Sequence, residues 1–281
     1  MGRPERIVEF GSLPRDPDRD AALIELRRAE KTREDIVLSD ELTRQLDRIE
    51  AEFRTREALA RRGLPIKSRL LFIGPPGCGK TLCAEVLASD LGLTILYARF
   101  DGIVSSYLGE TASNLRRIFN YAGTHPCLLF FDEFDALGKS RDDTQEVGEL
   151  KRVVSSFLQI LDSYSRESLV VAATNHEGLL DEALWRRFDE VLHLARPTQP
   201  QLVRLLELRL RGVRKRAIDL VAFAREMDGF TFADAERVCF EASKAIVLKG
   251  QKEMTTDVLE VELAEQRTRM AYSSTRKRSP A

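Results

Sequence analysis

From Leu70 to Leu194, short continuous apolar runs alternate with segments that have the apolar spacing of helices. The apolar runs lie at 70–73, 93–98, 127–131, 169–173 and 190–194, and the helical patterns lie at 80–91, 112–122 and 148–162. Strands that are apolar on both faces and joined by helices are typical of a parallel sheet covered by helices on both sides. This part of the chain is therefore predicted to have an α/β fold.

The N-terminal segments have a different pattern. Residues 1–20 contain three prolines and closely spaced opposite charges, which predicts a loose arm, and residues 22–26 are predicted to form a short strand. A helix is predicted after the N-cap candidate Ser39, with these apolar residues on one face: Leu42, Leu46, Ile49 and Phe53.

After Pro197 and Pro200 only helical patterns follow, at 201–211, 217–227, 232–249 and 255–269. In the third of these, Thr231 is a candidate N-cap and Gly250 a candidate C′ residue. Its inward face is predicted to hold Ala235, Val238, Cys239, Ala242, Ile246 and Val247. A small all-helical domain is predicted here, followed by a basic, unfolded tail.

Composition narrows the class of protein. The charges nearly cancel, with 44 basic and 45 acidic residues in 281, so no overall field attracts nucleic acid or an anionic membrane. No apolar run approaches the roughly 18 residues of a membrane span, and the first residues lack the apolar core of a signal peptide, which predicts a cytoplasmic location. The four cysteines form neither a C-x-x-C pair nor a disulfide framework and are predicted to be reduced.

A glycine-rich stretch, Gly74-Pro75-Pro76-Gly77-Cys78-Gly79-Lys80-Thr81, separates a predicted strand from a predicted helix. Without a Cβ, Gly77 and Gly79 let the loop fold its N–H groups around phosphates, and the following helix directs its positive end at them. Lys80 would neutralise phosphate charge, and the Thr81 hydroxyl is placed to bind Mg²⁺. The stretch predicts binding of a nucleoside triphosphate with Mg²⁺.

Polar residues follow two of the predicted strands. Asp132 and Glu133 follow the run 127–131, and Asn175 follows the run 169–173. Asp132 is predicted to hold the Mg²⁺ shell, and Glu133 to act as general base on the attacking water, which Asn175 would orient. The alternative for the two acids is a capped helix N-terminus.

Two adjacent arginines, Arg186 and Arg187, lie beside Trp185 and Phe188. They form either an ordinary surface ion-pair cluster or an arginine pair presented to the γ-phosphate of a neighbouring subunit.

Together these motifs resemble the AAA branch of the AAA+ ATPases, over about residues 33–268. The segments that carry the resemblance are 74–81, 128–133, 172–175, 184–189 and 229–234. The resemblance implies a P-loop NTPase sheet in which the Asn175 strand lies between the Gly74 and Asp132 strands. It also implies ATP and Mg²⁺ as cofactors, a helical lid and an active hexameric ring. The expected domains are an N-terminal arm at 1–32, an α/β nucleotide-binding domain at 33–197, a helical lid at 198–270 and a disordered basic tail at 271–281.

The resemblance also implies residue roles. Asn175 is the sensor, and Arg186 and Arg187 are the fingers that act in trans. The residues implied to contact the nucleotide are Ile36, Val37, Pro76, Gly77, Cys78, Gly79, Lys80, Thr81, Leu82 and Ala233. The chain differs from the family pattern in three places: the finger segment is short, Phe232 replaces a glycine, and 35–38 lacks a glycine pair.

The triplet Tyr107-Leu108-Gly109 lies where protein-remodelling AAA enzymes have the loop that lines the ring's channel and grips a polypeptide. A flat aromatic side chain can wedge between side chains of any sequence, and the glycine leaves the loop free to move. The alternative is a single exposed loop tyrosine.

More narrowly, the chain is similar to a bacterial AAA subgroup whose genes tend to neighbour a subtilisin-like serine peptidase. The segments that carry this resemblance are 70–81, 105–111, 138–143, 149–154 and 172–188. The predicted function is therefore an ATP-driven protein remodeller or unfoldase, with such a peptidase as a candidate partner. Two alternatives stay open: a nucleic-acid loader or motor, and a nucleotide-dependent switch that holds a partner peptidase. The balanced charge and the aromatic triplet argue against nucleic acid.

Overall fold

The computed structural model describes residues 12–17, 20–99, 103, 108–134, 144–164, 168–176 and 185–276. These residues form two compact units. The sheet unit takes its residues from 1–32, 40–74 and 80–194, and the helical unit takes its residues from 33–39, 75–79 and 195–281.

The sheet unit is built on a sheet that has six strands in the described residues. They are β1 (Glu25–Arg27), β2 (Arg69–Ile73), β3 (Thr94–Arg99), β4 (Cys127–Asp132), β5 (Leu169–Thr174) and β6 (Glu190–His193). The order is β1-β3-β4-β5-β2-β6, and neighbours are parallel except for the edge strand β1, which runs antiparallel to β3. The predicted α/β fold is confirmed, and β5 lies between β2 and β4 as the resemblance implied.

Helices cover this sheet because its central strands are apolar on both faces. The described ones are α1 (Asp40–Arg54), α2 (Arg56–Ala60), α3 (Lys80–Leu91), α4 (Leu108–Ala122) and α5 (Thr144–Ser163). Helix α1 buries the four apolar residues predicted for its inner face. Phe157 of α5 packs on Phe131 and Phe134, with ring centroids 5.4 and 4.9 Å apart. These contacts hold the chain on both sides of Asp132 and Glu133.

The described part of the N-terminal segment packs on the sheet unit. The expectation of a loose arm over 1–20 is wrong around Asp16, and the short strand predicted at 22–26 is observed as β1, Glu25–Arg27. Leu23 and Ile24 are buried in the core of the unit. Asp16 is also buried, and its Oδ2 accepts a hydrogen bond of 2.9 Å from Asn114 Nδ2 on α4. The two apolar residues outweigh the local proline content, because burying them removes apolar surface from water.

The helical unit consists of α6 (Gln199–Arg209), α7 (Leu220–Glu226), α8 (Phe232–Leu248) and α9 (Thr256–Arg276) in its described residues. Thr231 is the N-cap of α8, and Gly250 has φ of +63° just beyond the helix, as predicted. The predicted inner face of α8 is buried except for Val247, which is 79% exposed. Val247 follows the buried Ile246 by one residue, a rotation of about 100° around the helix axis.

Helix α9 continues to Arg276 and so enters the segment predicted as an unfolded tail, of which 277–281 lie outside the described residues. In the described part of the chain, no helix is long and apolar enough to cross a membrane.

Candidate functional site

The glycine loop follows β2 and requires glycine at two positions. Gly74 has φ of +141°, and a Cβ there would lie 2.1 Å from the carbonyl oxygen of Leu194. Gly77 has φ of +76°, and a Cβ there would lie 2.9 Å from Thr231 Oγ1. The carbonyl of Gly77 accepts a hydrogen bond of 3.0 Å from the N–H of Ala233, in the first turn of α8. Steric fit at these two glycines and the hydrogen bond between Ala233 and Gly77 hold the loop in its conformation.

Lys80 begins α3 and is buried in the sheet unit, with 7% of its surface exposed. Its ammonium donates hydrogen bonds of 2.7 Å to the Gly74 carbonyl and of 2.7 Å to Asn175 Oδ1. A buried charge requires such partners, since it has lost the hydration that water provides. The structure therefore brings together the two predicted residues Lys80 and Asn175.

Asp132 ends β4 and has both carboxylate oxygens held. Its Oδ1 accepts a hydrogen bond of 2.9 Å from the N–H of Glu133. Its Oδ2 lies 3.5 Å from Thr81 Oγ1 and accepts a hydrogen bond of 2.5 Å from the hydroxyl of Tyr97. The predicted metal-binding pair of Thr81 and Asp132 is thus adjacent, and a third residue, Tyr97, joins it.

Sequence reasoning missed Tyr97, which stands within an apolar run and carries no motif. The register of the β3–β4 pair could have identified it. Tyr97 is the partner of Phe130, which precedes Asp132 by two residues on β4. Burial, together with the hydrogen bond to Asp132 and the charge of its carboxylate, raises the pKa of Tyr97 to about 12. Its hydroxyl is therefore protonated at neutral pH and donates.

Glu133 is exposed and has φ of +55°, in the left-handed region that non-glycine residues rarely adopt. This conformation costs on the order of 1–3 kcal/mol and is concentrated at functional sites in proteins. The two consecutive acids therefore differ in burial: Asp132 is half-buried and hydrogen-bonded to its neighbours, whereas Glu133 is exposed.

The arginine segment is anchored by its aromatic neighbours. Trp185 packs partly buried against the sheet core, Phe188 is buried in it, and Arg186 and Arg187 are exposed. Arg187 forms an ion pair of 2.6 Å with Asp162 of α5. For Arg187, this contact matches the first of the two alternatives given for the segment, a surface ion pair.

The remaining predicted residues have these positions. Val37 is buried in the core of the helical unit, Ile36 is half-buried, and Phe232 packs partly buried against the same core. In the loop Cys78 is buried and Pro76 exposed, and Leu82 on α3 is half-buried. The Tyr107 prediction lies outside the described residues, and Leu108 and Gly109 begin α4.

The residues fit ATP with Mg²⁺. The hydroxyl of Thr81 and the carboxylate of Asp132 are hard oxygen ligands 3.5 Å apart, the kind of donor that Mg²⁺ prefers. The glycine loop leaves no room for a Cβ at position 77, which would lie 2.9 Å from Thr231 Oγ1, and the loop is followed by a lysine. Such loops bind phosphate through backbone N–H groups.

A glycine loop after a parallel strand, with an amide following the adjacent strand β5 and an acid at the end of β4, the strand beyond it, defines the class of P-loop nucleoside triphosphatases. Residues 70–196 match the ATPase family associated with various cellular activities, AAA. The chain is 44% identical over 238 residues to an uncharacterised AAA family ATPase of Sinorhizobium fredii, y4kL, a match that covers 85% of this chain and 72% of that protein. The chain therefore belongs to the AAA family, and it is an ATPase.

Two further relatives are subunits of the proteasome. The chain is 33% identical to 26S proteasome regulatory subunit S10B homolog B of Arabidopsis thaliana, over 73% of this chain and 53% of that protein. It is 36% identical to the probable 26S proteasome regulatory subunit 10B of Caenorhabditis elegans, over 69% of this chain and 49% of that protein. The chain thus spans about half the length of these proteasomal relatives.

Proposed function

We propose that the chain uses ATP hydrolysis to move or unfold polypeptides as a subunit of a hexameric ring. The main support for an ATPase site is that polar side chains lie close together at the carboxyl ends of three adjacent strands, β4, β5 and β2. Lys80 Nζ lies 2.7 Å from Asn175 Oδ1, and Thr81 Oγ1 lies 3.5 Å from Asp132 Oδ2. Ligands of open α/β sheets bind at such carboxyl ends.

Each residue has a role in this proposal. Lys80 neutralises phosphate charge, and Thr81 and Asp132 hold Mg²⁺, which supplies further neutralisation of the phosphates. Glu133 accepts the proton of the attacking water, and its exposed carboxylate suits that task. Asn175 orients the water. The adenine contacts of Ile36 and Val37 stay a prediction.

The polypeptide substrate is supported by the two relatives named as proteasome regulatory subunits. In this proposal Tyr107, Leu108 and Gly109 grip the substrate in the channel of the ring, and Arg186 or Arg187 completes the site of a neighbouring subunit. The subtilisin-like peptidase partner and the cytoplasmic location stay predictions.

The testing variant is Glu133→Gln, which keeps the size of the side chain and removes its basicity. We expect ATP affinity within about twofold of wild type and hydrolysis reduced by about 10²–10⁴-fold. Glu207→Gln, a substitution of an exposed glutamate on α6, is the matched control and should leave both unchanged. Hydrolysis by Glu133→Gln at the wild-type rate would remove Glu133 from its role.

The same variant tests the substrate. Tagged Glu133→Gln protein purified with ATP should retain a bound polypeptide, and the double variant with Tyr107→Ala should lose it. Recovery of nucleic acid, or of the same partner regardless of Tyr107, would contradict the remodeller and favour the loader or the switch.

A further inference from the structure

The side chain of Tyr97 connects the edge of the sheet to Asp132. On one side, its hydroxyl donates a hydrogen bond of 2.5 Å to Asp132 Oδ2. On the other side, the guanidinium carbon of Arg27 lies 3.5 Å from the centroid of the Tyr97 ring. This is within the range of a cation–π contact.

Arg27 is held in place by the edge strand β1. Glu25 stands opposite Tyr97 in the β1–β3 pair, and Arg27 stands opposite Ile95, on the diagonal from Tyr97. Glu25 Oε2 accepts a hydrogen bond of 2.8 Å from Arg27 and is largely exposed. A continuous chain of contacts therefore runs from an exposed glutamate through Arg27 and Tyr97 to Asp132.

We propose that Tyr97 is a positioning residue for the Mg²⁺ site, and that β1, through Arg27, sets how tightly that site binds the metal. The inference rests on the proposed role of Asp132 in holding Mg²⁺. Tyr97 and the N–H of Glu133 fix one oxygen each of the Asp132 carboxylate. A carboxylate fixed in this way pays less ordering entropy when it binds a metal, and partners of this type govern metal affinity in many sites.

Packing alone does not explain a tyrosine at this position. The Tyr97 ring packs on Phe130 of the neighbouring strand, with ring centroids 5.5 Å apart, and phenylalanine would preserve that contact. Only the hydroxyl reaches Asp132. The substitution Tyr97→Phe therefore separates the positioning role from the packing role.

The test titrates Mg²⁺ into the full chain with a fluorescent ATP analogue, starting in EDTA. The quantity measured is the Mg²⁺ concentration at which half of the Mg²⁺-dependent gain in analogue binding is reached. It should rise about tenfold in Tyr97→Phe, which is at the lower end of the usual effect of removing a residue that holds a metal ligand in place. Analogue affinity in EDTA and the unfolding temperature should stay at their wild-type values. The matched control Tyr121→Phe, on α4 of the same unit, should leave the Mg²⁺ requirement unchanged.

A second variant, Arg27→Met, keeps the hydroxyl of Tyr97 and tests the link to β1. It should raise the Mg²⁺ requirement in the same direction by about threefold, in line with a cation–π contact of a little under 1 kcal/mol.

An unchanged Mg²⁺ requirement in Tyr97→Phe would overturn the inference. An equal loss of analogue affinity in EDTA and in Mg²⁺ would also overturn it, because that pattern indicates a merely structural role. A wild-type chain that binds the analogue with no Mg²⁺ dependence would instead refute the role of Asp132, and the inference with it.

Discussion

The contact of Lys80 with Asn175 follows from the register of two strands. Ile73 of β2 and Thr174 of β5 are partners in the parallel pair, so the residues that follow them, Gly74 and Asn175, leave the sheet side by side. Lys80 donates to both. The amide at the end of β5 is thereby tied to the lysine of the glycine loop, which allows one side chain to respond to changes at the other.

The close approach of Gly74 to the next strand end predicts a stability difference between two glycines of the sheet unit. Gly74 and Gly92 both have positive φ, but a Cβ would lie 2.1 Å from the Leu194 oxygen at position 74 and would meet nothing within 4 Å at position 92. Gly92→Ala should lower the free energy of unfolding by about 1–2 kcal/mol, because alanine is strained at positive φ. Gly74→Ala should lower it by about 2 kcal/mol more, because its Cβ would also overlap with the Leu194 oxygen.

Urea unfolding checks this difference, with the fluorescence of Trp185 as the probe. Trp185 is the single tryptophan of the chain and packs against the core of the sheet unit, so it reports on the unit that holds both glycines. Equal losses in the two variants would contradict the steric argument.

The N-terminus of α8 shows how a local cap also joins two helices. Thr231 Oγ1 accepts from the N–H of Asp234, and Asp234 Oδ2 accepts from the N–H of Thr231, which completes a capping box. Asp234 Oδ1 accepts a further hydrogen bond of 2.8 Å from Gln266 of α9. The cap was predicted from the sequence because a capping box is local, whereas the contact with Gln266 depends on how two helices pack and left no sequence signal.

Removing the hydroxyl of the cap should destabilise the helical unit. Thr231→Ala should lower its free energy of unfolding by about 1 kcal/mol, since the N–H of Asp234 loses its acceptor. Thr231→Ser keeps the hydroxyl and should stay within a few tenths of a kcal/mol of wild type. Urea unfolding followed by circular dichroism at a helix wavelength measures both. A serine variant as unstable as the alanine variant would assign the effect to the lost methyl group instead.

The parts of the chain that were predictable from sequence are those with a strong periodic pattern or a local motif. Strand β5 is buried at every position and was predicted from its apolar run 169–173. Its place between β2 and β4 followed once the family was recognised. The packing around Asp16 was not predicted, because it depends on the distant Asn114 of α4. Tyr97 was missed for the same reason, since its importance arises only where β3 lies beside β4.

In the proposed ring, the arginine segment completes the site of a neighbouring subunit. Arg187 is paired with Asp162 of its own chain, and Asp162 also lies 3.4 Å from Arg69. Both members of the Arg187 pair are substantially exposed, and such pairs contribute less than about 1 kcal/mol to stability. The ion pair is therefore weak enough to be exchanged for a stronger interaction with a phosphate of a neighbouring subunit.

If Arg187 acts in trans, two inactive variants should restore activity when mixed. Arg187→Ala should lower hydrolysis about a thousandfold or more while ATP binding persists, as expected for an arginine finger. In an equal mixture with Glu133→Gln, about a quarter of the sites would combine an intact Glu133 with an intact Arg187 from the neighbour, because ring interfaces are heterologous. Asp162→Asn, the control for the ion pair, should leave hydrolysis near its wild-type rate.

A mixture of Arg186→Ala with Glu133→Gln shows whether Arg186 is the finger instead. Mixtures that stay inactive for both arginines, with specific activity independent of protein concentration, would contradict a ring completed in trans.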